Sequence, residues 1–118
     1  MSGAGLGQEW LVDASGCDAA SLKDARALAA LFEELVVALQ LHVLGTPQWH
    51  TFGGPGGITG LAMLSESHLA IHTFPEHRYA ALSLYSCTTR APPDLEGIVR
   101  RHLGCERVFV RTFSRGET

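Results

Sequence analysis

Between Leu35 and Ser65 the chain contains no aspartate, glutamate, lysine or arginine. An uncharged run of this length first raises a membrane span. Gln40, His42, Pro47, Gln48, His50 and several glycines break it well short of the ~20 consecutive apolar residues that a span requires. The run therefore reads as a helix end and two strands buried in the core, or as part of a subunit interface, since small domains often complete their burial by pairing. Clustered cations are missing too. The nine Lys and Arg residues are scattered and the formal net charge is −3, which argues against nucleic acid, whose phosphates need grouped basic residues. The opening MSGAGLGQEW lacks the basic and apolar regions of a signal peptide, so a cytoplasmic location is expected. There are three cysteines, Cys17, Cys87 and Cys105. An odd count at wide spacing suggests reduced thiols rather than a disulfide framework.

What is present fits one domain over residues 1–118, 46% hydrophobic and 18% charged. Glu9 to Ala14 has strand character and Ser15-Gly16 offers a turn. Ser21 with Asp24 forms a capping-box signature, and Leu28, Leu31, Phe32, Leu35 and Leu39 recur at helical spacing, which predicts a helix from about Leu22 to Leu41 closed near Gly45. A strand from His42 to Phe52, interrupted by Pro47, leads through FGGPGG into three short strands: Ile58 to Leu64, His68 to Phe74 and Tyr79 to Cys87. APPDLEG opens a second helix, Gly104 stops it, and Glu106 to Phe113 is a last strand. The order β-α-β-β-β-β-α-β, with hairpin-length connections in the middle, predicts an α+β two-layer sandwich: an antiparallel sheet with both helices on one face. The other face is left free for a ligand or partner.

The segment SESHLAIHTFPEH, Ser65 to His77, concentrates polar chemistry inside a strand pattern. His68 and His72 stand four apart, a spacing that chelates a metal on a helix but separates two residues by roughly 13 Å on a strand. With no Cys-x-x-Cys and no His-Glu-x-x-His, no metal is expected. Period-two geometry instead sets His68, Ala70, His72 and Phe74 on one face and Leu69, Ile71 and Thr73 on the other. The second set suits the core. The first set can line a cleft for a small molecule. A serine–histidine hydrolase using Ser67 and His72 fails on reach, since five residues along a strand exceed a hydrogen bond, and no glycine elbow surrounds the serine. Taken singly, these serines and histidines read as turn residues and satisfied polar groups. At Glu66-Ser67, a tight strand-to-strand junction, a strained backbone could instead bring the Ser67 hydroxyl onto the Glu66 carbonyl carbon.

Ser65-Glu66-Ser67-His68-Leu69-Ala70-Ile71-His72-Thr73-Phe74-Pro75-Glu76, followed by Tyr79-Ala80-Ala81-Leu82 and Cys87, resembles the core of the prokaryotic S-adenosylmethionine decarboxylases. These are self-processing pyruvoyl enzymes of polyamine synthesis. The resemblance extends more weakly over Gly7, Cys17-Asp18, His50-x-Phe52 and Gly57-Ile58-Thr59-Gly60. It implies cleavage between Glu66 and Ser67, giving chains 1–66 and 67–118, with Ser67 converted into a pyruvoyl group. That group would form a Schiff base with the substrate amine and act as an electron sink. His72 matches the processing histidine that removes a Cα proton. Thr59 stands where the family usually has an assisting serine. Cys87 matches the acid that returns a proton to the substrate carbon. Phe52 matches an adenine-stacking ring, Glu76 a ribose-binding glutamate, and Glu66 would end one chain beside the site. His68 is a further substrate-facing candidate and an alternative acid. The resemblance also implies a homodimer of processed protomers with sites near their interface.

The chain departs from the family pattern around the pocket. Glu9 stands near a usual histidine, one extra residue lies between Phe52 and Thr59, and Thr88-Thr89-Arg90 replaces the glycine that follows the cysteine. Two alternatives to an S-adenosylmethionine decarboxylase therefore stay open: the same pyruvoyl chemistry acting on L-ornithine or L-arginine, and a non-catalytic paralogue.

Overall fold

The computed structural model describes residues 6–87 and 94–116. Strand β1 (Gly7–Ser15) is followed by helices α1 (Ala19–Leu22) and α2 (Ala25–Ala38), then β2 (Gln48–Thr51), β3 (Ile58–Leu64), β4 (Ser67–Phe74), a 3-10 turn Pro75–His77, β5 (Tyr79–Ser86), α3 (Leu95–Leu103) and β6 (Arg107–Arg115). The six strands form one sheet in the order β2-β3-β4-β5-β1-β6. Every pairing is antiparallel. The expected α+β sandwich is the one observed.

Several boundaries differ from the sequence reading. The single helix expected from Leu22 to Leu41 is two helices, because Asp18 and Asp24 each act as an N-cap, accepting from the amides of Ala20 and Arg26. Ser21 does not cap toward Asp24; its hydroxyl donates back to Asp18 at 3.1 Å. The second helix ends at Ala38, where Gln40 takes a left-handed φ of 54°, well before Gly45. The strand expected from His42 to Phe52 shortens to Gln48–Thr51, with only a bridge from Val43 to Leu64 upstream. Pro47 brings no N–H to a ladder, and Gly45 turns the chain at φ 72°. The prolines expected to head the last helix, Pro92 and Pro93, lie outside the described residues.

Alternation on β4 is as expected. Leu69, Ile71 and Thr73 are buried while His68, His72 and Phe74 are exposed. The buried face meets Leu28, Leu31, Phe32 and Leu35 of α2 and Ile98, Val99 and Leu103 of α3 in one core. Among the described residues none forms a layer on the opposite face, where Leu61, Met63, Phe74, Phe109 and Phe113 are exposed. Thus the charge-free stretch is only partly buried: Leu35, Leu39, Ile58, Ala62 and Leu64 are covered, whereas Val37, Val43, Leu44, Phe52, Leu61 and Met63 are exposed.

A polar tie locks α1 to the sheet. The buried Thr73 hydroxyl donates to the Leu22 carbonyl at 2.8 Å and accepts from the Ile58 amide at 2.9 Å. Thr73→Val keeps the shape but strands a buried carbonyl and a buried N–H. It should lower stability by about 1–3 kcal/mol in urea unfolding; a loss below about 0.5 kcal/mol would show the tie to be dispensable.

Candidate functional site

The residues singled out in the sequence gather at two places. The first is the hairpin between β3 and β4. Ser65 and Glu66 form its two-residue turn, and Ser67 opens β4 in register with Leu64 on one side and Ser86 on the other. The Glu66 carbonyl, which belongs to the Glu66–Ser67 peptide, accepts the Cys87 backbone N–H at 2.9 Å. Cys87 is exposed. The Ser67 hydroxyl is buried with no hydrogen-bond partner among the described residues, and it lies on the helix-facing side of β4, in phase with Leu69 and Ile71.

Backbone strain was expected at this peptide. Among the described residues the non-glycine residues with left-handed φ are Gln40 and Arg78, and no peptide is cis, so the Glu66–Ser67 junction does not store strain of that kind. What the junction has is polarisation: an N–H aimed at the carbonyl oxygen, beside a hydroxyl whose hydrogen-bonding capacity is unused.

The second place is at the other end of β4, on the open face. Phe52, Gly53, Gly57, Thr59, His72, Phe74 and Glu76 surround a cavity of about 310 Å³. Thr59 and His72 face each other across the β3–β4 pairing, and Thr59 Oγ1 lies 3.1 Å from His72 Nδ1. Phe52 is half exposed, and its ring meets His50 edge-on at 4.5 Å. These residues cluster because FGGPGG folds back: the Phe52 amide donates to the Gly57 carbonyl at 2.8 Å. The four positions Phe52, Thr59, His72 and Glu76 are thus brought together. Five residues of strand, roughly 16 Å, separate His72 from Ser67 in the same protomer. His68 joins neither cluster; it sits on the open face, stacked on Tyr85 at 5.9 Å.

Sequence reasoning missed two features of the hairpin end. One is the Cys87 amide, which no side-chain pattern announces. The other is a polar row on the helix-facing side of the sheet: Gln8 pairs with Ser86, which pairs with Ser67. The Gln8 Oε1 and, two residues on, the Trp10 Nε1 are buried without partners among the described residues. Period-two counting from Trp10 puts Gln8 on that side, but only the strand order reveals that the row leads to Ser67.

A family model described as S-adenosylmethionine decarboxylase matches residues 8–116. The S-adenosylmethionine decarboxylase proenzyme of Methanococcus maripaludis strain C5 is 33% identical over 112 residues, covering 94% of this chain and 90% of that protein. S-adenosylmethionine decarboxylase proenzyme 2 of Halalkalibacterium halodurans is 34% identical over 90 residues, 76% of this chain and 69% of its own length. The crystal structure of the adenosylmethionine decarboxylase from Aquifex aeolicus superposes with a TM-score of 0.79 at 28% identity, covering 96% of this chain and 92% of that one. Likeness in sequence and in fold sets the class, that of the small α+β decarboxylases. The chain belongs to the S-adenosylmethionine decarboxylase family.

The cavity depends on Gly57. A Cβ there would come within 2.6 Å of the Thr73 carbonyl oxygen on the neighbouring strand. Gly57→Ala should push the Phe52 loop away from β4 and cost about 1–3 kcal/mol in urea unfolding. A substitution within 0.5 kcal/mol of the parent would mean that the loop yields freely and does not shape the cavity.

Proposed function

We propose that this chain is a self-processing S-adenosylmethionine decarboxylase. The observation that carries the reading is the Cys87 N–H on the Glu66 carbonyl, next to the unpartnered Ser67 hydroxyl. When the hydroxyl adds to the Glu66 carbonyl carbon, the Cys87 N–H bears on the oxygen where negative charge develops. Collapse breaks the Glu66–Ser67 C–N bond and leaves an ester. Removal of the Ser67 Cα proton then expels the Glu66 carboxylate, separating residues 1–66 from 67–118. The dehydroalanine left at position 67 tautomerises to an imine, water adds to its carbon, and ammonia leaves to give the pyruvoyl group.

The pyruvoyl group supplies an electron sink for the carbanion left when carbon dioxide departs. The Ser67 position suits it, because a buried hydroxyl without a partner loses no hydrogen bond on conversion. Cys87, whose amide donates to the Glu66 carbonyl, is the acid assigned to return a proton to the substrate carbon. Phe52 offers a face for an adenine and for a sulfonium cation, and Glu76 offers acceptors for ribose hydroxyls. His68 and Glu66 border the hairpin end.

The elimination needs a base at the Ser67 Cα, and His72 of the same protomer is roughly 16 Å away. We infer that a second copy provides it. If two open faces pack about a two-fold axis crossing β4 near Ala70, the partner's His72 and the partner's Thr59 lie over Ser67. The cavity lined by Phe52 and Glu76 then faces the partner's pyruvoyl position. Exposed Leu61, Met63, Phe109 and Phe113 support this burial. A homodimer of processed protomers is thus part of the proposal, because each protomer carries half of two sites.

Purified protein should show two masses, for residues 1–66 and 67–118, and Ser67→Ala should stay whole. Labelled carbon dioxide should be released from S-adenosylmethionine. Release from L-ornithine or L-arginine alone would move the substrate assignment to a basic amino acid. A wild-type chain that stays whole after prolonged incubation contradicts the enzyme reading and favours a non-catalytic paralogue.

A further inference from the structure

Cys17 and Cys105 take no part in this chemistry, yet they form a contact 88 residues apart in sequence. Their Sγ atoms lie 3.0 Å from each other, and both residues are almost wholly buried. Each follows a glycine held in left-handed conformation, Gly16 at φ 63° after β1 and Gly104 at φ 61° after α3. The two junctions are laced together by backbone bonds: the Asp18 amide donates to the Leu103 carbonyl at 2.9 Å and the Glu106 amide to the Ser15 carbonyl at 3.0 Å. Arginines hold the cysteine carbonyls from either side. Arg78 Nε donates to that of Cys17 at 2.8 Å, and an Arg100 guanidinium nitrogen to that of Cys105 at 3.2 Å. The main chain is therefore fixed with the sulfurs facing, and they need to close by only about 1 Å to reach a disulfide bond length of ~2.05 Å. The pair is also polarised. The hydrogen bond from Cys17 and the nearby Arg100 charge lower the acidity threshold of Cys105, while the same bond, with burial, pushes the Cys17 thiol up.

We propose that Cys17 and Cys105 form a reversible disulfide under peroxide oxidants, and that this bond covalently joins the two chains that cleavage at Glu66–Ser67 produces. The disulfide itself follows from the sulfur geometry; only its role as an inter-chain link rests on the self-processing reading. No bond joins the two sulfurs in this structure. Hydrogen peroxide is small enough to enter during local opening of the α3–β6 junction. The Cys105 thiolate attacks one peroxide oxygen, the O–O bond breaks, and hydroxide leaves as Cys105 becomes a sulfenic acid. The Cys17 sulfur then attacks the Cys105 sulfur, the S–O bond breaks, and the Cys17 proton departs with that oxygen as water. The balance is two thiols and one hydrogen peroxide giving one disulfide and two waters. A dithiol reverses it by exchange.

The consequence is specific to a nicked protein. Cys17 belongs to residues 1–66 and Cys105 to 67–118, and their junctions lie at the Ser15–Tyr79–Phe74 end of the sheet, opposite the Ser67–Ser86–Gln8 end where the chain is cut. Reduced, the two chains are held by strand pairing and packing alone. Oxidised, they cannot separate on unfolding, and refolding starts from tethered partners.

The test uses the full-length purified protein. After exposure to hydrogen peroxide, denaturation and alkylation, the number of alkylated thiols should fall from three to one, and peptide mapping should find Cys17 linked to Cys105. On a denaturing gel without reductant the two fragments should then migrate together and separate on addition of dithiothreitol. Cys105→Ser should give separate fragments in both lanes. Three alkylatable thiols after oxidation, or a linkage through Cys87, overturns the proposal. If the chain is not self-processed the gel shows one band with or without reductant, and the thiol count still decides the disulfide.

Discussion

Because Ser67 pairs with Leu64 on one side and Ser86 on the other, β4 has one register available to it, and the chemistry-bearing positions are fixed by that register. A slip of one residue would turn His68 and His72 into the core and Leu69 and Ile71 into solvent, an exchange that the apolar helix layer forbids. The same pairing sets Thr59 beside His72 and brings the chain beyond β5 back to the hairpin, where the Cys87 amide meets the Glu66 carbonyl. It also keeps His72 and Ser67 apart. A rigid strand cannot bring its own His72 onto its own Ser67, and in the proposed mechanism a second copy supplies the base.

Strand positions were legible wherever alternation was strong. Ile58–Leu64 and the body of β4 are where the pattern of apolar and polar residues puts them, because a half-buried strand leaves that mark directly in sequence. In the first helical region the sequence pattern of a capping box at Ser21 and Asp24 is ambiguous, because Asp24 is a cap in its own right. The strand before the glycine-rich loop was overextended because apolar content without alternation, at Val43 and Leu44, marks surface awaiting a partner as well as it marks a strand.

For the site, the side chains were legible and the backbone was not. Phe52, Thr59, His72 and Glu76 do share a cavity, and Glu66, Ser67 and Cys87 do meet. That these are two groups at opposite ends of β4 follows from register and strand order, which single-sequence periodicity does not encode. The Cys87 N–H, the feature of most chemical consequence at the hairpin, is carried by every non-proline residue. Only the fold gives it a role. The Cys17–Cys105 contact was hidden for a related reason: their distance in sequence reports nothing about the two glycine turns that bring the junctions together.

The central claim is that each site is shared between copies, with the hydroxyl from one and the base from the other. Co-expression of Ser67→Ala and His72→Ala chains tests it directly, since neither forms a complete site with its own kind. The mixed dimer pairs the Ser67 of the His72→Ala chain with an intact His72 on its partner. The account predicts that the His72→Ala chain is cut between Glu66 and Ser67 in the mixture, up to about half of it for random pairing, while each variant alone stays whole. Formation of the mixed dimer without any cleavage, or cleavage of His72→Ala on its own, would contradict it.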